Sequence, residues 1–242
     1  MLSLKYIKEL QKVITQMAES EQATIAQVAK IVAKATMDGG LLHMFGCGHS
    51  HLPVSEAFYR AGGFVPINPI YETSAMLHEG AVKSSMVERM SGYAKHILDN
   101  YETHPGEVLI VFSNSGINSL PIEMALEAKA KGLIVVAITS MVYQNEKSRH
   151  DSDKKLFEVS DYVIDTKIPK GDGLIELTAG KVIAPGSTAV CAAIVNMLIC
   201  EIAECYLEAG VSPPFFISGN VEGGMEQNQA YVNEYRYRVK SL

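Results

Sequence analysis

The sequence predicts an α/β fold: a parallel sheet covered by helices on both faces. Three observations carry this. Short runs that are apolar at nearly every position recur at residues 41–45, 108–112 and 133–138. Segments with apolar residues at helical spacing alternate with them. Turns rich in Gly, Ser and Asn lead from the first two runs into helices. Strands that are apolar on both faces need cover on both, and alternation with helices supplies it.

The elements follow in order. Ile7, Leu10, Val13, Ile14 and Met17 share one helical face, and Ile25, Val28, Ile31 and Val32 share another. Gly39-Gly40 ends the second. The two helices are expected to form a hairpin over 1–38 that packs on the domain or on a partner subunit. Leu41-Leu42-His43-Met44-Phe45 reads as a buried strand, with a helix after it at about 50–61 that carries Pro53 in its first turn. Val65-Pro66-Ile67 reads as a weaker strand, and a long helix is expected at about 84–100. Residues 108–112 form the clearest strand, followed by a helix over 119–131 that Gly132 ends. Residues 133–138 form the next strand, and Tyr162-Val163-Ile164-Asp165 is a candidate fifth. A long apolar helix is expected over 187–209. The polar tail from Glu222 is expected to be helical near its end. The 242 residues suit a single domain: hairpin 1–38, core 39–210, extension 211–242.

Composition narrows the function classes. A net charge of −6 gives no global attraction to nucleic acid or an anionic membrane. No apolar run reads as long and clean enough to span a bilayer, and the opening residues do not resemble a signal peptide. The four cysteines show no paired metal spacing, so reduced thiols in the cytoplasm are expected, with Cys191, Cys200 and Cys205 in the core.

The chemistry is expected in two loops. Gly46-Cys47-Gly48-His49-Ser50-His51 follows the first strand. Its glycines let the backbone approach a ligand, and the helix start beyond favours an anion. Ser113-Asn114-Ser115-Gly116-Ile117-Asn118-Ser119 follows the clearest strand and adds hydroxyl donors. Ser50 and Ser119 also suit helix N-caps, and the glycines suit tight turns. In parallel sheets ligands bind beyond the carboxyl ends of the strands, so two such loops point to one anion-accepting crevice. His51 stands where a dinucleotide fingerprint needs its third glycine, no Gly-Lys-Ser/Thr occurs, and His49, His51 and Glu56 lack a recognised metal spacing. No cofactor and no metal are expected. Cys47, near a helix start, is a candidate for a lowered thiol pKa.

These motifs resemble the sugar isomerase (SIS) domain family. Gly46-Cys47-Gly48-His49-Ser50 is similar to its first G-x-G-x-S loop, and Ser113-Asn114-Ser115-Gly116 to its second, S-x-S-G-x-T/S. The resemblance covers roughly residues 25–210. It implies a flavodoxin-like three-layer αβα sandwich with a five-stranded parallel sheet, and a phosphosugar site at the strand ends, often completed by a second subunit in a homodimer or homotetramer. It places Ser113 and Ser115 at the phosphate and Ser50 at sugar or phosphate, with Gly48, His49 and Asn114 beside them. Asn118 departs from the expected hydroxyl residue; its amide, or adjacent Ser119, would supply that contact. Pro185-Gly186-Ser187-Thr188 is similar to a third conserved region, from which Ser187 carries over; a helix N-cap is its alternative role. Lys170-Gly171-Asp172-Gly173 reads as a tight turn without assigned chemistry.

Isomerisation and ether elimination both need a base beside a carbonyl. Glu79-Gly80-Ala81 resembles the stretch carrying a catalytic glutamate in N-acetylmuramic acid 6-phosphate etherases. Glu79 is the expected base, with His78 and Glu72 as partners; solvated helix-start acids are the alternative. Phosphoheptose isomerases carry His and Glu where this chain has Glu56 and Arg60, which argues against the heptose activity. The expectation is a phosphosugar isomerase, with an ether lyase or a non-catalytic sugar-phosphate sensor as alternatives.

Overall fold

The structure, a computed structural model, describes residues 1–178 and 180–242. It opens with one helix, not a hairpin: α1 runs unbroken over Leu2–Met37. The two apolar runs are joined by Ala18-Glu19-Ser20-Glu21-Gln22-Ala23-Thr24, which holds neither Gly nor Pro. Nothing there stops helix propagation. Met17, Glu21, Ile25, Val28, Val32 and Thr36 then form one continuous buried stripe.

The main sheet is five-stranded, all parallel, in the order β2-β1-β3-β4-β5. The strands are β1 Leu42–Gly46, β2 Ile67–Pro69, β3 Val108–Phe112, β4 Ile134–Thr139 and β5 Tyr162–Asp165. β2 starts at Ile67, not Val65, because residues 63–65 pair instead with the C-terminal segment, through Val65 N–H to Pro214 O (2.9 Å) and a Phe64–Phe215 bridge. Alternate residues of each strand face opposite layers. Met44, Ile110, Phe112 and Ile138 pack under α1, α2 (Leu52–Ala57) and α7 (Ser187–Glu208). Phe45, Leu109, Val111 and Ala137 pack under α4 (Tyr93–Leu98) and α5 (Ser119–Ala130). This is the αβα sandwich that the sequence implies.

Other boundaries move for local reasons. The helix expected at 50–61 is a 3₁₀ turn, Gly48–His51, followed by α2. It stops early because Phe58 turns to an extended backbone (φ −88°, ψ 134°), and Tyr59 follows at a left-handed φ of 46°. The long helix expected at 84–100 is two pieces, α3 (Ala81–Val87) and α4, split at Gly92, whose φ is 82° and whose N–H donates to the Glu123 carboxylate. The short α6 (Leu156–Val159) leads into β5. A hairpin that the sequence did not announce, β6 (Gly173–Glu176) with β7 (Val182–Pro185), separates β5 from α7. The tail ends in α8 (Gly224–Tyr235).

α7 is long and apolar enough to cross a membrane, contrary to the sequence reading. Its Val190, Ile194, Leu198 and Ile202 are buried in the core beside α1, which accounts for the hydropathy. Of its cysteines, Cys191 is buried, Cys205 is half-buried and Cys200, on the outward face, is exposed.

A buried polar network ties the strands together at their amino ends. His43 Nε2 lies 2.9 Å from Glu107 Oε2, and Asn68 Nδ2 lies 3.1 Å from His43 Nδ1. Glu107 also accepts from the N–H of Leu41 (2.9 Å), the N–H of His104 (2.7 Å) and Arg238 Nη2 (2.7 Å). The network spans β2, β1 and β3 and takes in the C-terminal tail.

Candidate functional site

Both Gly/Ser loops leave the carboxyl ends of neighbouring strands. The first leaves β1 at Gly46. A Cβ there would stand 2.1 Å from the Ser50 carbonyl oxygen, so only glycine lets the chain fold back on itself. Gly48 follows at a left-handed φ of 52°, and Ser50 N–H closes the turn on Cys47 O (2.8 Å). The second loop leaves β3. Gly116 has a φ of 62° and lies so close to β4 that a Cβ would meet Thr139 Oγ1 at 2.9 Å. Its N–H donates to Ser113 Oγ (3.2 Å), while Ser140 N–H donates to Asn114 O (2.9 Å). Gly46→Ala is expected to lower stability by roughly 1–3 kcal/mol through forced displacement of this loop. Thermal unfolding checks it; an unchanged Tm would show that the loop does not need this approach.

A narrow crevice opens between the loops and the start of α7. His49, Ser50, Ser113, Asn114, Ser187 and Thr188 line it, over a floor that includes Phe112 and Cys191. It lies at the ends of β1 and β3, where the strand order reverses direction. In an open sheet of this order, that is where ligands are expected. Among the described residues, the hydroxyls of Ser50 and Thr188, on its wall, make no hydrogen bond within the protein, nor does that of Ser115, which does not line it. A larger cavity, about 450 Å³, lies between Tyr59 and Arg60 beyond α2 and the C-terminal segment. No strand-end loop reaches it, and the Asn228 amide on its wall is held by the Ile217 backbone.

Three expected phosphate contacts, Ser115, Asn118 and Ser119, are not among the residues that line the crevice. The Asn118 amide donates to Glu88 Oε1 (2.8 Å) and accepts from Arg149 Nη1 (2.7 Å), so both its ends are occupied. The Ser119 hydroxyl is buried and donates to Arg149 O (3.1 Å). Their role here is to fix the start of α5. Cys47 is also corrected. Burial, then the negative charge of Glu88, push its thiol pKa well up, the reverse of activation. Burial likewise pushes Cys191 up to about 12, with the charge of Asp172 adding to it.

The acidic segment runs beside the first loop. His78 stacks edge-on against His51, ring centroids 5.1 Å apart, and the His51 ring contacts the Gly48 carbonyl. Ser84 Oγ donates to Ala75 O (2.7 Å), fastening the segment to α3. Glu79 is exposed and paired with Lys83 and Thr73. The Lys83 ammonium, then the Thr73 hydroxyl, hold its carboxyl below the usual range. Glu72 is half-buried and caps a 3₁₀ turn by accepting from Ser74 N–H (3.3 Å). Glu56 and Arg60 form a surface ion pair one helical turn apart.

Sequence reasoning missed Thr188, although it stood beside Ser187 in the motif. It also missed Asp172, which caps α7 from fifteen residues away: Ser187 is the first residue of that helix, not its cap. No sequence spacing signals a cap supplied from so far.

Comparison with known proteins agrees with the fold. Residues 5–140, which carry both loops and the acidic segment, match the SIS domain family. The UPF0309 protein of Geobacillus thermodenitrificans (strain NG80-2) is similar to this chain, 42% identical over 240 residues, covering 98% of this chain and 96% of that protein. Among solved structures, the Vibrio vulnificus NanR protein complexed with ManNAc-6P is similar with a TM-score of 0.56 at 15% identity, over 96% of this chain and 69% of that one. A phosphoheptose isomerase from Francisella tularensis is similar with a TM-score of 0.51 at 16% identity, over 83% and 95%. At such identities these two structures speak for the fold. The matched domain and the full-length relative settle the membership: this chain is a SIS domain protein of the UPF0309 family.

Proposed function

We propose that the chain binds a phosphorylated sugar, amino sugars included, and isomerises it by carboxylate-assisted proton transfer. The observation that carries this reading is the convergence of two Gly/Ser loops on one crevice at the reversal point of the sheet. Ser113 and Ser115 hold the phosphate. Ser50, His49 and Asn114 line the sugar's path, and Gly48 allows close backbone approach. Glu79 is the base, with His78 and Glu72 near it in the chain. The fold shared with a phosphoheptose isomerase accords with this reading, as does membership of the SIS family. The working unit is a homodimer or homotetramer, which light scattering checks.

A thermal-shift screen of sugar phosphates, with free sugars and inorganic phosphate as controls, tests the reading. A ligand that binds only the folded state raises the melting temperature. One sugar phosphate is expected to stabilise well beyond phosphate alone; a flat panel overturns the proposal. Ser115→Ala is expected to weaken that ligand about tenfold, the worth of one hydrogen bond to a charged group. Unchanged affinity by calorimetry removes Ser115 from the site.

One observation favours a second reading, a sensor that binds without turnover. The Glu79 carboxylate is exposed and held by Lys83 below the usual range, whereas a base tuned to neutral pH is raised. Following the bound sugar phosphate by NMR separates the two: an unchanging spectrum over hours identifies the sensor.

A further inference from the structure

Two serines face the same crevice with opposite hydrogen-bond polarity. Ser113 Oγ accepts the Gly116 N–H (3.2 Å), so its own proton is free to be donated to a ligand. Ser187 Oγ donates its proton to Asp172 Oδ2 (2.6 Å), so what it presents outward is lone pairs. A hydroxyl has one donor hydrogen and two acceptor sites, and a carboxylate only accepts, so this direction is fixed by the partner.

The same carboxylate also occupies the end of α7. Asp172 Oδ1 accepts from the N–H of Ser187 (2.9 Å) and of Gly186 (3.3 Å). Two of the N–H groups at that helix start, those of Gly186 and Ser187, are thus already held by an anion. Asp172 sits at a left-handed φ of 66°, in the turn at the base of the β6–β7 hairpin. Among the described residues it forms no ion pair, so its charge is not neutralised by a neighbouring cation. Lys167 and Lys170, both just before it in the chain, pair instead with Glu21 and Asp165, and with Glu146. That charge is felt at Cys191 on the crevice floor.

We propose that Asp172 is a positioning residue that sets specificity: by taking the Ser187 proton it makes Ser187, at the α7 end of the crevice, an acceptor for a hydroxyl or amine of the sugar. The phosphate is thereby favoured beside Ser113, which donates from the β3–α5 loop, over Ser187; the Thr188 hydroxyl is the donor left on the α7 side. This deepens the phosphosugar reading and rests on it. It assigns the two ends of the ligand to the two sides of the crevice. It also makes the preferred ligand one with a hydrogen-bond donor several bonds from the phosphate, a class that includes amino sugar phosphates and excludes inorganic phosphate.

The test is calorimetric titration of wild type, Asp172→Asn, Asp172→Ala and Ser187→Ala with the sugar phosphate found in the screen and with inorganic phosphate. The readout is the ratio of the two affinities. Ser187→Ala and Asp172→Ala are expected to lower the ratio about tenfold. Both Asp172 variants are expected to leave inorganic phosphate binding equal or tighter, because a negative charge has been removed. Thermal unfolding confirms that each variant is folded; Ser187→Ala, the smallest change, keeps the test valid if the Asp172 variants are not. An unchanged ratio overturns the assignment. So does an equal loss for both ligands, which would mean that Asp172 only holds α7 in place. If the wild type binds no sugar phosphate, the phosphosugar reading falls and this inference with it. If the wild type binds and the ratio does not move, the inference alone falls.

Discussion

Glu79→Gln is expected to abolish turnover of the sugar phosphate, a loss of about 10²–10⁴-fold, while leaving its affinity within roughly twofold. The amide keeps the shape of the side chain and its hydrogen bond to Thr73 or Lys83, but takes no proton. Steady-state kinetics beside calorimetry separate the two effects, and retained activity would pass the role of base to His78. The pH dependence adds a second handle. Hydrogen bonding from Lys83 first, then Thr73, lowers the Glu79 pKa, so the acid limb of kcat/KM is expected below the ordinary carboxylate value of 4.5. Lys83→Ala removes the larger cause and should move that limb upward. A limb that stays in place would mean that another group titrates.

The second large effect is on stability. Glu107→Ala is expected to cost roughly 3–5 kcal/mol, measured by urea or thermal unfolding. It leaves His43 Nε2 and the N–H groups of Leu41 and His104 without their acceptor in a buried site, and removes one of the partners of Arg238. Burial alone would raise the Glu107 carboxyl. Hydrogen bonds from His43, the His104 backbone and Arg238 outweigh it and bring the pKa down to about 2. A carboxylate with a lowered folded-state pKa contributes stability above its unfolded value, near 4.5, and loses it as pH falls towards 2. The difference corresponds to about 3 kcal/mol. The wild type should therefore lose stability between these pH values, and Glu107→Ala should lose much less over the same window. Parallel acid titrations of the two proteins would contradict this.

Much of the architecture was legible because it depends on local pattern. The runs at 108–112 and 133–138 are apolar at every position, and only a strand buried on both faces needs that. The two glycine loops were legible for a similar reason, since Gly46 and Gly116 stand where a Cβ has no room. What was not legible depended on contacts between distant residues. The helical hairpin was inferred from two separate apolar runs, yet α1 is continuous because Met17, Glu21 and Ile25 prolong one stripe through the polar stretch. Asn118 looked like a ligand group until the fold placed Glu88 and Arg149 at its two ends, each 30 or 31 residues away in sequence. Ser187, expected at the ligand with a helix cap as its alternative role, is not the cap, because Asp172, fifteen residues earlier, accepts from its N–H. In each case the residue type was read correctly, but its partner decided the role.

The order of synthesis gives the long first helix a further consequence. α1 emerges from the ribosome before α7, yet α7 is the helix that covers its apolar stripe, and Tyr206 near the end of α7 donates to Thr36 near the end of α1 (2.8 Å). At about 5–20 residues per second, roughly 10–40 s separate the appearance of α1 from that of its cover. During that interval Ile25, Val28 and Val32 have no permanent burial. The nascent chain must hold a finished helix with an open apolar seam, and a chaperone, or the half-built sheet, is its natural temporary cover. A truncation before α7 would leave that seam permanently open, so such a fragment is expected to aggregate.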